Sequence, residues 1–232
     1  MNISPRIDTA AATPVATRIQ QNILARGERR LLNWICPRLP AWVTPDQLTT
    51  LGFIGACMVA AGYMLSWLDS EWLGLSLAGY VVNWFGDSLD GSLARWRKIE
   101  RPSYGYFVDH SVDGIATFLM VGSIGLSPYI RFDVALLGVI GYLLLSIHTF
   151  LAAKVVGEFR LSYMAGGPTE LRLMLMGMTA LMPVVGSADI GKTNLSPFDV
   201  FGLVVSSVLF TIFVVQSFAT ARVLARRERR GR

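Results

Sequence analysis

Two cysteines in 232 residues, Cys36 and Cys57, supply neither a disulfide framework nor a cluster of metal-binding thiols. One precedes the first long apolar run and the other lies within it, where both read as packing residues. Charge is also scarce. Only 16% of the chain is charged against 53% hydrophobic, and the mean hydropathy of +0.47 argues against a soluble domain of ordinary composition. The first 40 residues lack the basic, apolar and small-residue succession of a secretory signal, so the N-terminus is expected to stay attached. Tandem repeats and low-complexity tracts are missing too.

What the chain has instead is apolar runs. A membrane-crossing helix needs roughly 20 mostly apolar residues, and six such segments can be placed: Thr44–Trp67, Leu73–Arg95, Tyr104–Leu126, Phe132–Val156, Glu170–Val185 and Pro197–Ala221. The expected fold is therefore an all-α integral membrane bundle of six helices over residues 44–225. The net charge of +5 suggests nucleic acid until the basic residues are placed on those spans. All but Arg131 and Lys192 then fall on one side, the asymmetry that marks a cytoplasmic face. Both termini are expected in the cytoplasm, as in a bacterial inner (plasma) membrane protein, and nucleic acid is rejected as a partner.

Residues 1–15 are polar and expected to be disordered. Over 16–43, Ile19, Ile23, Leu31 and Ile35 recur at helical spacing against Arg18, Arg26, Glu28, Arg29 and Arg30, which suggests an amphipathic helix on the headgroups of membrane lipids. The alternative is a solvated helix packed on the protein. Thr44-Pro45-Asp46-Gln47 reads as a helix start, with Thr44 as N-cap, Pro45 at the first position and Gln47 closing a capping box, while Val43 staples onto Leu48. The last span runs into Arg226-Arg227-Glu228-Arg229-Arg230, a basic tail over 226–232 that reads most simply as an anchor.

Ionisable residues inside spans cost about 2.5 to 3.5 kcal/mol each, so four carboxylates near the ends of two of them demand a purpose. Asp87 and Asp90 are three apart, Asp109 and Asp113 four apart, so each pair shares one helix face. The connection from Trp96 to Tyr104 is short enough to make the two helices antiparallel neighbours, and helices packed about 8 to 10 Å apart bring such groups to a shared cation. Four hard oxygen donors suit Mg²⁺ or Mn²⁺, and two such ions would relieve the repulsion and clamp a pyrophosphate. Salt bridges to Arg95 or Arg97 are the plainer explanation. Gly91 and Ala94 leave room beside Asp87 and Asp90, and Gly105 sits one turn before Asp109; small residues there also suit close helix packing.

Together these positions, Asp87-x-x-Asp90-Gly91-x-x-Ala94-Arg95, nine residues, Gly105-x-x-x-Asp109-x-x-x-Asp113, resemble the signature of the CDP-alcohol phosphotransferase (phosphatidyltransferase) family. The resemblance implies a membrane bundle, commonly a homodimer, with its active site on the cytoplasmic side. It implies that Asp87, Asp90, Asp109 and Asp113 bind two divalent metals, and that the CDP moiety of the donor lies against Gly91, Ala94 and Arg95, with Asp87 and Gly105 beside it. A hydroxyl attacks the donor phosphorus, CMP leaves, and Asp113 helps to deprotonate the hydroxyl.

Two further features bear on the subclass. His110 follows Asp109, and its imidazole is suited to general-base work near neutral pH. Gly166-Gly167-Pro168-Thr169-Glu170 leads into the fifth span, with Glu170 in the first turn. A core histidine and ordinary helix capping are the structural alternatives. With His110 and Glu170 as activators of the acceptor, the pattern looks like the choline and ethanolamine phosphotransferase branch, although that branch has about ten spans and different residues at Ser111-Val112 and Leu171-Arg172. The leading expectation is transfer from a CDP-alcohol to a lipid hydroxyl, such as that of a diacylglycerol or a ceramide-like lipid. The runner-up is phosphatidyl transfer from CDP-diacylglycerol to a small polar alcohol, for which Arg160 and Arg172 would bind an acceptor phosphate. A membrane prenyltransferase lacks the small positions, and a cation transporter would carry its carboxylates near mid-bilayer. His148, Asn83 and Gln216 are expected to hydrogen-bond between helices.

Overall fold

The computed structural model describes residues 17–19, 25–156, 158–160, 168–187 and 194–230. The segment 1–15, the parts of 16–24 other than 17–19, Gly166-Gly167 and Lys192 lie outside them. Among the described residues the chain forms seven α-helices: α1 (Ala25–Ile35), α2 (Pro45–Leu65), α3 (Leu73–Arg97), α4 (Pro102–Ile124), α5 (Phe132–Val156), α6 (Pro168–Val185) and α7 (Pro197–Arg230). Two three-residue strands, β1 (Thr17–Ile19) and β2 (Glu158–Arg160), pair in parallel.

Helices α2 to α7 stand at the six expected positions. Three of them, α2, α5 and α7, are long and apolar enough to cross a membrane. The other three carry what lowers hydropathy: the four aspartates and two arginines on α3 and α4, and Glu170 and Arg172 on the 18-residue α6. Large apolar side chains such as Ile54, Ile147, Leu151, Val204 and Phe218 are exposed on the three apolar helices, as in a protein whose solvent is lipid.

The amphipathic helix expected over 16–43 is shorter. Thr17–Ile19 is a strand, consistent with β-branched residues at both of its ends. The helix itself ends at Ile35 because Pro37 disfavours helical backbone in the residue before it, and a 3-10 turn, Cys36–Arg38, follows. Leu32 and Cys36 are buried against Leu89 and Leu93 of α3, whereas Leu31 and Trp34 face outward. One side of α1 is thus packed on the protein. Burial pushes the Cys36 thiol up despite Arg95 and Arg97 nearby, which keeps it protonated and inert.

The start of α2 is as the sequence predicts. The Thr44 hydroxyl accepts from the Gln47 amide at 3.3 Å, and the Thr44 amide donates to Gln47 Oε1 at 2.9 Å. The preceding loop is clamped by Arg97, whose guanidinium donates to the carbonyls of Leu39, Pro40, Ala41 and Val43. Arg97 therefore fastens the end of α3 to the entrance of α2.

Helices α2 and α3 pack backbone against backbone. A Cβ at Gly55, Gly79 or Gly86 would collide with main-chain atoms of the facing helix. Asn83 Nδ2 donates to the Gly52 carbonyl at 3.0 Å, and Ser76 Oγ to the Val59 carbonyl at 2.9 Å. Farther along, the buried hydroxyls of Tyr63, Tyr80 and Thr179 join α2, α3 and α6 in one hydrogen-bonded chain. On the other side of the bundle, α5 meets α7, where His148 Nε2 and Thr220 Oγ1 lie 3.2 Å apart. Asn83 and His148 thus do make the interhelical bonds expected of them.

Two boundaries differ from expectation. The basic tail is helical to Arg230, because Ala225, the arginines and Glu228 are good helix formers that let α7 continue past Ala221. The backbones of α3 and α4 approach less closely than those of α2 and α3: α3 lies mainly against α2 and α6, α4 against α2 and α5, and a crevice runs between α3 and α4 beside Gly91 and Gly105.

Candidate active site

The crevice is where the four aspartates meet. Asp87 and Asp90 project from α3, and Asp109 and Asp113 from α4. Asp113 is in hydrogen-bonding contact with Asp87 and feels the charge of Asp109; Asp90 feels the charges of both Asp87 and Asp109. The close contact of Gly52 with the backbone at Gly86 and Asp87 sets the height of α3 against α2. One turn into α2, Thr49 Oγ1 donates to Asp90 Oδ2 at 2.7 Å, and the Gly91 amide donates to the other Asp90 oxygen. Asp90 is buried, whereas Asp109 is 40% exposed at its side chain.

Among the described residues, no interhelical bridge runs to Arg95 or Arg97. Arg95 Nη2 reaches Ser92 Oγ on its own helix at 3.3 Å. Asp87 pairs with Arg172 of α6 instead, Nη2 to Oδ2 at 3.0 Å. A positive group therefore reaches into the site from a third helix.

The small positions are not explained by helix packing. A Cβ at Gly91 would meet only the Arg95 guanidinium, 3.2 Å away, and one at Gly105 would meet nothing within 4 Å. Gly105 faces open space and Gly91 only the far end of the flexible Arg95 side chain, which leaves room for a ligand. Ala94 is half-buried and Arg95 exposed on the same helix.

His110 Nδ1 lies 3.4 Å from Asp109 Oδ2. Its ring stacks on Phe150 of α5 with centroids 5.0 Å apart and meets Tyr106 edge-on at 4.3 Å. One ligand atom from each of Asp109, His110 and Asp113 falls within 4.8 Å of the others, close enough to share a cation. Glu170 sits in the first turn of α6, two residues before Arg172.

Three neighbours escaped the sequence reading. Thr49 has no signal beyond being polar one turn inside an apolar helix. Tyr142 of α5 is near Asp113, Asp87 and Arg172 and hydrogen-bonds Thr117; it also lines an apolar pocket that reaches to Ile130 and Phe201. Glu28 of α1 comes to α3 and α6, and sequence spacing assigned it only to a polar helix face.

Residues 42–225 match one family along almost the whole bundle, that of the CDP-alcohol phosphatidyltransferases. The chain belongs to this family. Similar proteins include archaetidylinositol phosphate synthase of Pyrococcus horikoshii, 33% identical over 105 residues, 45% of this chain and 52% of that protein. Cholinephosphotransferase 1 of Danio rerio is 26% identical over 190 residues, 74% of this chain and 48% of its own length. CDP-diacylglycerol–serine O-phosphatidyltransferase of Encephalitozoon cuniculi is 32% identical over 143 residues, 58% of this chain and 36% of its own. The matches thus span between about a third and a half of the length of these curated relatives.

Proposed function

We propose that this chain is an integral membrane enzyme that transfers a substituted phosphate from a CDP-linked donor to an alcohol, releasing CMP. The observation that carries the reading is the convergence of Asp87, Asp90, Asp109 and Asp113 from two helices into one crevice, with open space at Gly105 and only the Arg95 guanidinium over Gly91. Four carboxylates gathered at such range call for counter-charge, of which Arg172 supplies one at Asp87. Together they form the hard oxygen set that two Mg²⁺ or Mn²⁺ ions require, with Asp87, Asp90, Asp109 and Asp113 as ligands. When bound, such ions supply charge neutralisation at the attacking and leaving oxygens of an in-line displacement.

The chain's own residues do the rest. Gly91, Ala94, Arg95 and Gly105 admit the cytidine diphosphate, with Asp87 beside it. The acceptor hydroxyl loses its proton to Asp113 or His110 as its oxygen bonds to phosphorus. The bond from phosphorus to the bridging oxygen breaks, and CMP carries away the electron pair. Phe150 and Tyr106 fix the plane of the His110 ring, and Glu170, in the turn entering α6, assists at the acceptor.

The leading substrates are a CDP-alcohol and a lipid hydroxyl, of the diacylglycerol or ceramide-like kind, a reading supported by His110 and by similarity to a cholinephosphotransferase over most of the chain. The runner-up is phosphatidyl transfer from CDP-diacylglycerol to glycerol phosphate, inositol phosphate, inositol or serine. Arg172, already beside Asp87, favours it as a phosphate-binding cation. In both cases α2 to α7 all cross the bilayer, both termini and the crevice are cytoplasmic, and the chain works as a homodimer. The relatives include eukaryotic proteins, so the reading is not tied to a bacterial membrane.

The test is CMP release by the purified protein in lipid with Mg²⁺, crossing CDP-choline, CDP-ethanolamine and CDP-diacylglycerol against lipid and polar acceptors. Release from a water-soluble CDP-alcohol with a lipid acceptor supports the leading reading. Release from CDP-diacylglycerol alone establishes the runner-up, and undiminished release by Asp109→Asn overturns the metal assignment.

A further inference from the structure

Helix α1 reaches into the bundle through one side chain. The Glu28 carboxylate accepts from Trp84 Nε1 at 2.9 Å and from Ser88 Oγ at 3.0 Å, both on α3, and from Thr169 Oγ1 on α6 at 3.1 Å. Trp84 and Ser88 are one turn apart and bracket Asp87. Thr169 is the second residue of α6, three before Arg172, whose guanidinium holds Asp87. Two polar rungs therefore tie the first turn of α6 to the aspartate-bearing stretch of α3, one through Arg172 and the other through Glu28.

The two rungs respond differently to the chemistry. When Asp87 turns to a cation, the Arg172 rung gives up its carboxylate. The Glu28 rung does not involve Asp87 and stays. A carboxylate with three donors from two helices fixes both distance and rotation, and hydrogen bonds to a charged acceptor are stronger than those between neutral groups. The connection into α6 is also held by backbone pairing of β2 with β1, so the segment before α1 reaches the same connection from its other end.

We propose that Glu28 is a positioning residue, which holds the first turn of α6, carrying Glu170 and Arg172, against α3 while the aspartates are occupied with cations. This rests on reading the aspartate crevice as the active site. Its consequence is that α1 belongs to the catalytic apparatus without touching substrate. Removing the carboxylate loosens α6 and impairs use of the acceptor, while the aspartates, held by α2 and α4, keep their cation affinity.

The experiment compares wild type with Glu28→Ala, Glu28→Gln and Thr169→Val as full chains in lipid nanodiscs. Amide hydrogen exchange is followed over 168–176 with Mn²⁺ present, Mn²⁺ binding is read by electron paramagnetic resonance, and turnover is measured for the donor and acceptor pair active in the CMP-release matrix. Glu28→Ala is expected to speed exchange at the start of α6 by about tenfold, leave α2 and Mn²⁺ affinity within twofold, and raise acceptor KM while lowering kcat about tenfold. Glu28→Gln, which keeps an accepting oxygen, recovers part of each effect, and Thr169→Val adds less than twofold to Glu28→Ala. Unchanged exchange over 168–176 overturns the proposal, whether or not turnover is found. So does a loss confined to the amount of folded protein with acceptor KM unaltered. If Glu28→Ala fails to fold, Thr169→Val alone must show the faster exchange. An active Asp109→Asn sinks the active-site reading instead, and leaves the exchange result to judge the tether.

Discussion

Helix α3 has two very different neighbours. Toward α2 it presents Ser76, Gly79, Asn83 and Gly86, and the two backbones close to a distance that admits no side chain. Toward α4 it presents Asp87 and Asp90, and no such approach occurs. In lipid the hydrophobic effect does not drive helices together, so close packing and interhelical hydrogen bonds must do so. The α2–α3 contact uses both. The α3–α4 boundary forgoes the close packing, and the carboxylates of Asp87 and Asp113 meet across it. One helix is thus clamped on its glycine face so that its carboxylate face can remain open.

Breaking the open side should cost the most in activity. Asp109→Asn is expected to abolish CMP release, a loss of more than about 1,000-fold, with helix content by circular dichroism unchanged. Breaking the closed side should cost the most in stability. Gly86→Leu forces α2 and α3 apart, and the expected loss of about 3 kcal/mol or more is read as a lower Tm and poor elution from size exclusion in detergent. His110→Ala keeps the carboxylates, so it should slow turnover by about 100-fold while Mg²⁺-dependent binding of CDP, followed by calorimetry, survives. Gly105→Ala sharpens the contrast. No atom stands within 4 Å of the added methyl, so Tm should hold to within about a degree while donor KM rises several-fold. Ser76→Ala removes one interhelical hydrogen bond and should cost only about 0.6 kcal/mol in Tm-derived stability with turnover intact.

Much of this was legible because it is written in periodic or local signals. The Thr44 to Gln47 cap, the apolar runs and the three- and four-residue spacing of the aspartates all depend on neighbours in sequence, and α5 begins and ends at the expected residues. The crevice was not legible. Spacing shows that two carboxylate pairs share helix faces, but the separation of α3 from α4 is set by α2 lying against both. Glu28, Thr49 and Tyr142 were missed for the same reason, since each acts across helices far apart in sequence. Arg172 was noticed, but a positive charge on a cytoplasmic loop explained it as well as a site did; its 3.0 Å contact with Asp87 is what distinguishes the two. The N-terminal helix was overextended because amphipathic spacing continues through residues that Pro37 and the β1–β2 pairing remove from the helix.

The length of α7 has a consequence of its own. Its 34 residues amount to about 51 Å at 1.5 Å per residue, whereas the hydrocarbon layer is about 30 Å deep. The helix is therefore some four turns longer than that layer is deep, and Arg222 and Arg226 lie about one turn apart in its C-terminal stretch. On the proposed membrane reading, the helix works like the weighted keel of a float: its apolar part sets one depth, its arginines meet the phosphate plane, and the waterline of the bundle follows from where the arginines begin.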